Sequence, residues 1–358
     1  MAPQSSTKDP SLSPPPGFRT LQYDLLNFAD AGSLLIAGDP KTADKWAIFL
    51  TGFPDSQHCF CDLAKKLVEE TTGTDGSSSF YVGIVCLPEY DRVGVLGLEP
   101  LKNDGYDADE MCLCFHQAVD CFRKHGEDER RKNINDKNSK SRAPKFHLLS
   151  HDIGLLPATS YAVSASNANS VDKFVAFDIG PDLTALPDTN YELINHLSYR
   201  SFFAATFVLW RFMPALAYIF FQIGFFLNML FVRWTNPAGP RDINFTNGEG
   251  ATINMENFSS RQLYLTYPYL TAVIKPIFDR KKLKLLKKKL DFEILLTKQP
   301  VLFIYGEEKN TMFHNAKTLR RLKETKGCEV MAVSGAGHWV HKQELETCFV
   351  KVKDFLLR

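Results

Sequence analysis

The feature that most constrains this chain is the stretch KFHLLSHDIGLLPATSYAV, in which an apolar run ending at Leu149 is followed by Ser150-His151-Asp152-Ile153-Gly154 and then by a helix-compatible segment. Small residues two before and two after one polar side chain mark a sharp strand-to-helix turn. Such a turn lifts the central side chain, here Asp152, above the sheet, and any larger flanking residue would clash. A turn of this kind belongs where a strand passes straight into a covering helix, so it predicts a largely parallel sheet.

The rest of the chain is read against that expectation. Short β-branched and aromatic runs at 21–28, 33–37, 46–51, 80–86, 145–150, 172–177, 300–305 and 328–333 alternate with longer helical patterns, which predicts eight strands in an α/β domain. With 358 residues, 44% of them hydrophobic, the chain can bury a large core. Forty-two basic against forty-one acidic residues leave a net charge of +1, so no overall field recruits nucleic acid. Residues 1–18, rich in Ser and Pro, are expected to be a flexible tail without the apolar core of a signal peptide, in keeping with a cytoplasmic protein. Of the eight cysteines, Cys59/Cys61 and Cys112/Cys114 form Cys-x-Cys pairs, but the spacing that completes a zinc site is missing, and buried reduced thiols are expected. Segments 73–80 and 126–144 read as solvated loops.

The Ser150–Gly154 motif resembles the nucleophile elbow of the α/β-hydrolase superfamily, within it the epoxide hydrolase and haloalkane dehalogenase branch, and the chain looks similar to fungal hydrolases of polyketide pathways in secondary metabolism. The resemblance implies the α/β-hydrolase fold: a mostly parallel eight-stranded sheet with an inserted helical lid. The core is then expected at 19–186 and 293–358, and the lid at 187–292. It also implies that Asp152 attacks an sp³ carbon to give an ester, which a histidine-activated water then hydrolyses. Two further matches support this. Thr51-Gly52-Phe53-Pro54 is similar to the family's His-Gly-x-Pro loop, so the amides of Phe53 and Ile153 are the implied oxyanion hole. Gly337-His338-Trp339 resembles the catalytic-histidine loop, making His338 the general base and placing Trp339 at the substrate. His147, His151 and His341 are expected to pack. Pro88–Gly94 resembles a stretch that shapes the floor of the site, with a structural role.

The sequence departs from the pattern in two places. Where most of the family carries the acid that orients the histidine, this chain has Lys309, which leaves Asp178, Glu307 or Glu308 to supply it, with Asp178 favoured. Ile153 stands where dehalogenases place a Trp whose N–H binds halide, which favours epoxide opening over dehalogenation. Epoxide opening needs proton donors, and the resemblance implies lid tyrosines: Tyr267 first, with Tyr264, Tyr269, Tyr199 and Tyr191 also available. The expected function is therefore hydrolysis of an epoxide on a bulky lipophilic small molecule, without cofactor or metal. The alternatives are cleavage of an ester or carbon–halogen bond, or a non-catalytic binding protein. From Phe212 to Val232 no residue is charged. A single membrane span there would separate Asp152 from His338, so buried lid helices are expected. The basic run Arg280–Lys289 raises peripheral membrane contact through the lid.

Overall fold

The computed structural model describes residues 14–71, 80–133, 144–167, 169–235, 258–309 and 312–358, with the side chains of 228–235 outside the description. Its eight strands are β1 (Arg19–Leu25), β2 (Phe28–Ala37), β3 (Lys45–Leu50), β4 (Phe80–Val85), β5 (Phe146–His151), β6 (Val171–Phe177), β7 (Val301–Gly306) and β8 (Glu329–Val333). They form one sheet in the order β1-β2-β4-β3-β5-β6-β7-β8. β2 runs antiparallel to β1 and β4, and every other pairing is parallel. The central strands are covered by helices on both faces, α1 (Cys61–Glu69) and α3 (Leu155–Val163) among them, which is why β4 and β5 are buried along their whole length and read as unbroken apolar runs.

All eight expected strands are present. The hairpin at the first edge turns earlier than its apolar pattern indicated: β1 stops at Leu25, which pairs with Phe28, and Leu26 takes φ +55°, held by its amide donating to Gln117 Oε1 at 3.0 Å. Phe18, assigned to the tail, is buried with Leu35 in the core, while residues 1–13 lie outside the described residues. The expected loop at 126–144 is corrected in part. Helix α2 (Ala108–Asn133) runs through GEDERRKN, because Arg130 donates to the carbonyls of Pro40 and Ala43 and stacks its guanidinium 5.0 Å from the Trp46 ring, anchoring the last turns. Tertiary contacts of this kind outweigh a missing apolar period. Residues 134–143, and 73–79 of the other expected loop, lie outside the described residues.

Sheet order locates the functional region. After β3 the chain crosses to β4 on one side, and after β5 it crosses to β6 on the other. Neighbouring strands whose connections leave in opposite directions open a crevice at their carboxyl ends, where ligands bind in open α/β sheets. The residues beyond β3 and β5 are Thr51–Phe53 and Asp152.

Between β6 and β7 the chain leaves the sheet for a helical layer. Helix α4 (Asn190–Phe212) opens with a capping box, in which the Thr189 hydroxyl accepts from the Glu192 amide and the Glu192 carboxylate accepts from the Thr189 amide. It ends at Met213, where Pro214 cannot continue the hydrogen-bond ladder, and α5 (Pro214–Thr235) begins. A helix at 280–289 and short helical turns at 262–278 complete the layer. Among the described residues no helix is long and apolar enough to cross a membrane.

Candidate active site

Asp152 adopts φ +51°, a left-handed conformation that a non-glycine residue keeps only when its surroundings enforce it. The turn is built by close packing. A Cβ on Gly154 would lie 2.6 Å from the Thr51 carbonyl oxygen, and Ser150 fits two positions earlier by donating its hydroxyl to Leu50 O at 3.2 Å. The expected elbow is therefore formed, with the Asp152 carboxylate almost wholly buried at its tip.

One oxygen of that carboxylate, Oδ2, accepts the Phe53 amide at 2.8 Å. The loop that aims this amide is tight: the Thr51 hydroxyl donates to Asp55 O at 3.1 Å and the Asp55 amide to Gly52 O at 2.8 Å. Thr51 replaces the family's histidine without altering this backbone donor. The Ile153 amide, expected as the second donor, makes no hydrogen bond to the carboxylate among the described residues; Ile153 lies in the short 3-10 turn that opens the following helix.

His338 and Asp178 meet Asp152 from the other side. Asp178 leaves β6 with φ +70°, its amide fixed to Ile304 O at 2.9 Å, and its Oδ2 accepts His338 Nδ1 at 2.9 Å. One ligating atom from each of Asp152, Asp178 and His338 lies within 4.8 Å of the others. Glu307 is exposed and Glu308 half-buried, and neither carboxylate bonds to His338, because the turn after β7 directs both away. Lys309 itself joins the array: buried, it places Nζ 2.5 Å from both oxygens of Asp178, with the Phe313 ring 4.4 Å away. Burial pushes the Asp178 carboxyl up, but the charges of His338 and Lys309 outweigh it and hold the group well below the usual carboxylate range. Burial would likewise depress His338, yet the Asp178 carboxylate outweighs it and raises the imidazole to about 9.

The tyrosine expectation is corrected. Tyr267, favoured in sequence, donates its hydroxyl to Pro88 O at 3.2 Å, and Tyr264 donates to Glu89 Oε1 and to Lys102 O, so both tie the lid to the loop after β4. Tyr199 and Tyr269 instead pair their hydroxyls at 3.2 Å, and the Tyr269 ring packs edge-on to Phe53 at 5.3 Å. Burial, then Tyr199 and the charge of Asp152, push the Tyr269 hydroxyl well above its ordinary range, so it keeps its proton at neutral pH. Tyr267 and Tyr269 are two positions apart but lie in different turns, Tyr267 capping the 3-10 turn at 262–266 and Tyr269 opening the π-type turn at 269–274. Arg200, missed in sequence, follows Tyr199 on α4 and feels the same Asp152 charge.

Trp339 is also corrected: wholly buried, it donates Nε1 to Asp55 Oδ2 at 2.9 Å, and so braces the Phe53 loop and does not line the crevice. Behind it lie the expected packing histidines. His151 Nε2 donates to His338 O at 3.0 Å, and the Cys59 thiol, kept protonated by burial, donates to His341 Nε2 at 3.1 Å. Atoms of Cys59, His151 and His341 also fall within 4.8 Å of one another, but this thiol–imidazole contact and the His151 bond account for the cluster as support for the His338 loop. In the Pro88–Gly94 stretch the buried Glu89 accepts the Leu101 amide and the half-buried Asp91 accepts the Ser33 hydroxyl, contacts that tie this loop to its surroundings.

No protein-family model matches the sequence, and no curated protein does. Solved structures do match. A loop variant of a haloalkane dehalogenase from Bradyrhizobium elkanii superposes with a TM-score of 0.57 at 13% identity, covering 95% of this chain and 96% of that one. An epoxide hydrolase from Acinetobacter nosocomialis gives 0.54 at 16% identity over 97% and 91%. A thermophilic esterase from Thermogutta terrifontis gives 0.54 at 12% over 95% and 97%. Proteins of three different activities share this architecture, so the likeness speaks to the fold and not to the reaction. Sheet order, elbow and inserted helical layer agree with it, and this chain has the α/β-hydrolase fold.

Proposed function

We propose that this protein hydrolyses an epoxide on a bulky lipophilic molecule through an ester on Asp152. The observation that carries the reading is the Asp152 carboxylate itself, with Oδ2 held by the Phe53 amide and His338, oriented by Asp178, beside it. A serine elbow would leave its oxyanion hole empty for a substrate carbonyl. Here the carboxylate occupies it, as it must if the carbonyl later attacked by water is that of Asp152.

In the first half-reaction Oδ1 of Asp152 attacks a ring carbon, the C–O bond breaks, and a proton from the Tyr199–Tyr269 pair reaches the ring oxygen. In the second, His338 takes a proton from water, and the resulting hydroxide adds to the carboxyl carbon. Charge then develops on Oδ2, where the Phe53 amide already points. Collapse breaks the bond between the carboxyl carbon and Oδ1, which leaves with the substrate carbon as an alkoxide and takes the proton of the added hydroxyl; the hydroxyl oxygen stays in the regenerated carboxylate, and His338 returns its own proton to the tyrosinate. The sum is one epoxide and one water giving one diol.

The charges couple the two halves. The negative charge of Asp152 is one cause of the raised His338 pKa, so forming the neutral ester lowers it and frees the base when it is needed. Phe53, Phe203 and Phe258, packed edge-on at 4.9 and 6.3 Å around Phe53, support an apolar substrate, with polyketide epoxides the first class to test. Ile153 offers no side-chain donor to a halide, which supports epoxide over carbon–halogen chemistry. The test is the mass of the Asp152 peptide after a His338→Ala variant is incubated with epoxides, haloalkanes and esters. Trapped mass at Asp152 from epoxides alone is expected. No adduct from any class, with wild type inert on the same panel, refutes the proposal in favour of a non-catalytic binding protein.

A further inference from the structure

The lid carries an apolar face that the site does not use. The inner face of α5 buries Ala217, Phe221 and Phe225, and Phe221 packs 5.5 Å from Phe258, which in turn touches Phe53. The outer face is equally apolar: Leu216, Ile219, Ile223, Phe226 and Leu227 recur at helical spacing, and Ile219, Ile223 and Phe226 are each more than half exposed. A helix that is apolar all round is ordinarily buried on all sides. At the turn into α5, Phe212 is 73% exposed, and Phe278, ahead of the next lid helix, is 86% exposed. A contiguous exposed face of this kind marks an interaction surface.

Charge identifies what would cover it. The helix Arg280–Lys289 has no buried residue and seven basic ones. Lys282 and Lys289 pair with Asp107 and Asp109, while Arg280, Lys281, Lys284, Lys287 and Lys288 make no ion pair among the described residues. The same acidic loop holds the α4–α5 corner, since Arg211 pairs with Asp104. Asp104 and Asp107 are three residues apart, so the corner next to Phe212 and the start of the basic helix are both tied by ion pairs to one short loop. Apolar side chains that insert, flanked by unpaired cations, are the two halves of an interfacial membrane site.

We infer that the lid docks on an anionic bilayer, inserting the outer face of α5 with Phe212 and Phe278 while the 280–289 helix meets the headgroups. The docked helix would then lie one aromatic layer, Phe221 and Phe258, above the Phe53 loop, so a lipophilic molecule could pass from the bilayer to the crevice without crossing water. Docking itself requires no turnover, so its test stands apart from the proposed reaction.

The test is flotation of the full chain with vesicles of phosphatidylcholine alone and of phosphatidylcholine mixed with phosphatidylserine. Two triple variants at exposed positions are compared: Ile219→Ser/Ile223→Ser/Phe226→Ser and Lys281→Glu/Lys284→Glu/Lys288→Glu, each checked for native circular dichroism. Wild type is expected to float with the anionic vesicles and to be released by raised salt. Charge reversal should lower partitioning by at least about 100-fold, from roughly 1 kcal/mol for each of three lysines lost, and the serine variant should abolish it. No flotation of wild type on anionic vesicles, or flotation unchanged in both variants, overturns the inference. So does a dimer in sedimentation velocity that the serine variant converts to monomer, which would mean that a second copy covers the face.

Discussion

Replacing Lys309 by Met should raise the pKa of His338, although Lys309 touches neither the histidine nor any reacting atom. Lys309 Nζ lies 2.5 Å from Asp178 Oδ2, and that oxygen lies 2.9 Å from His338 Nδ1, so the two cationic nitrogens are at most about 5.4 Å apart. At an effective dielectric constant of about 20 their repulsion is about 3 kcal/mol, or roughly 2 pKa units. The lysine also draws on the Asp178 carboxylate that would otherwise serve the imidazolium alone. His338 begins at about 9. The variant should therefore shift its titration upward by up to about 2 units, and Lys309→Arg, which keeps the charge, should restore it. Carbon-labelled histidine NMR, with His338 assigned by its Gln variant, reads this without any substrate. With a substrate in hand, kcat near pH 7 should fall by up to about 100-fold where hydrolysis of the ester limits turnover, because the neutral imidazole that this step needs becomes rarer. A shift under about half a unit, or a downward one, would refute the reasoning by showing that water screens the lysine from the histidine.

Two other perturbations follow from the same geometry. Tyr269→Phe, and Tyr199→Phe with it, should reduce epoxide turnover by about 100-fold or more, whereas Tyr267→Phe should leave the rate nearly unchanged and cost about 1 kcal/mol of stability in urea unfolding. Stability should also vary with pH through the Asp178–His338 pair. His338 has its pKa raised from 6.5 to about 9, so its contribution is complete below 6.5 and lost as pH rises through 9, a fall of about 3 kcal/mol. Asp178 is lowered from 3.8, so its contribution is present above that value and lost as pH falls through the lower one. Urea unfolding across that range should show the alkaline fall in wild type and not in His338→Gln.

Much of the site was readable because its chemistry is local. The elbow needs small residues at fixed offsets from Asp152, and those offsets are written in consecutive letters. Asp178 was harder, since it sits 160 positions from His338, and only the sheet order β6-β7-β8 brings the two together. The sequence showed Lys309 as a gap in the pattern; the structure shows it as a partner of the same carboxylate. The partners of the lid tyrosines were hidden for a related reason: three aromatic residues within six positions, Tyr264, Tyr267 and Tyr269, all suit a buried lid, and the choice among them depends on a turn whose pitch no apolar period encodes. Trp339 likewise follows His338 in sequence, yet its ring turns inward to Asp55.

The sequence alone therefore determined the eight strands, the mostly parallel sheet and the sharp turn that carries Asp152, because strand periodicity and tight-turn sterics act over a few residues. Tertiary structure alone decided which carboxylate bonds to His338, which tyrosine hydroxyls pair and which apolar surface of α5 is exposed. Those depend on distances between segments far apart in the chain, and on the sheet order that sets them.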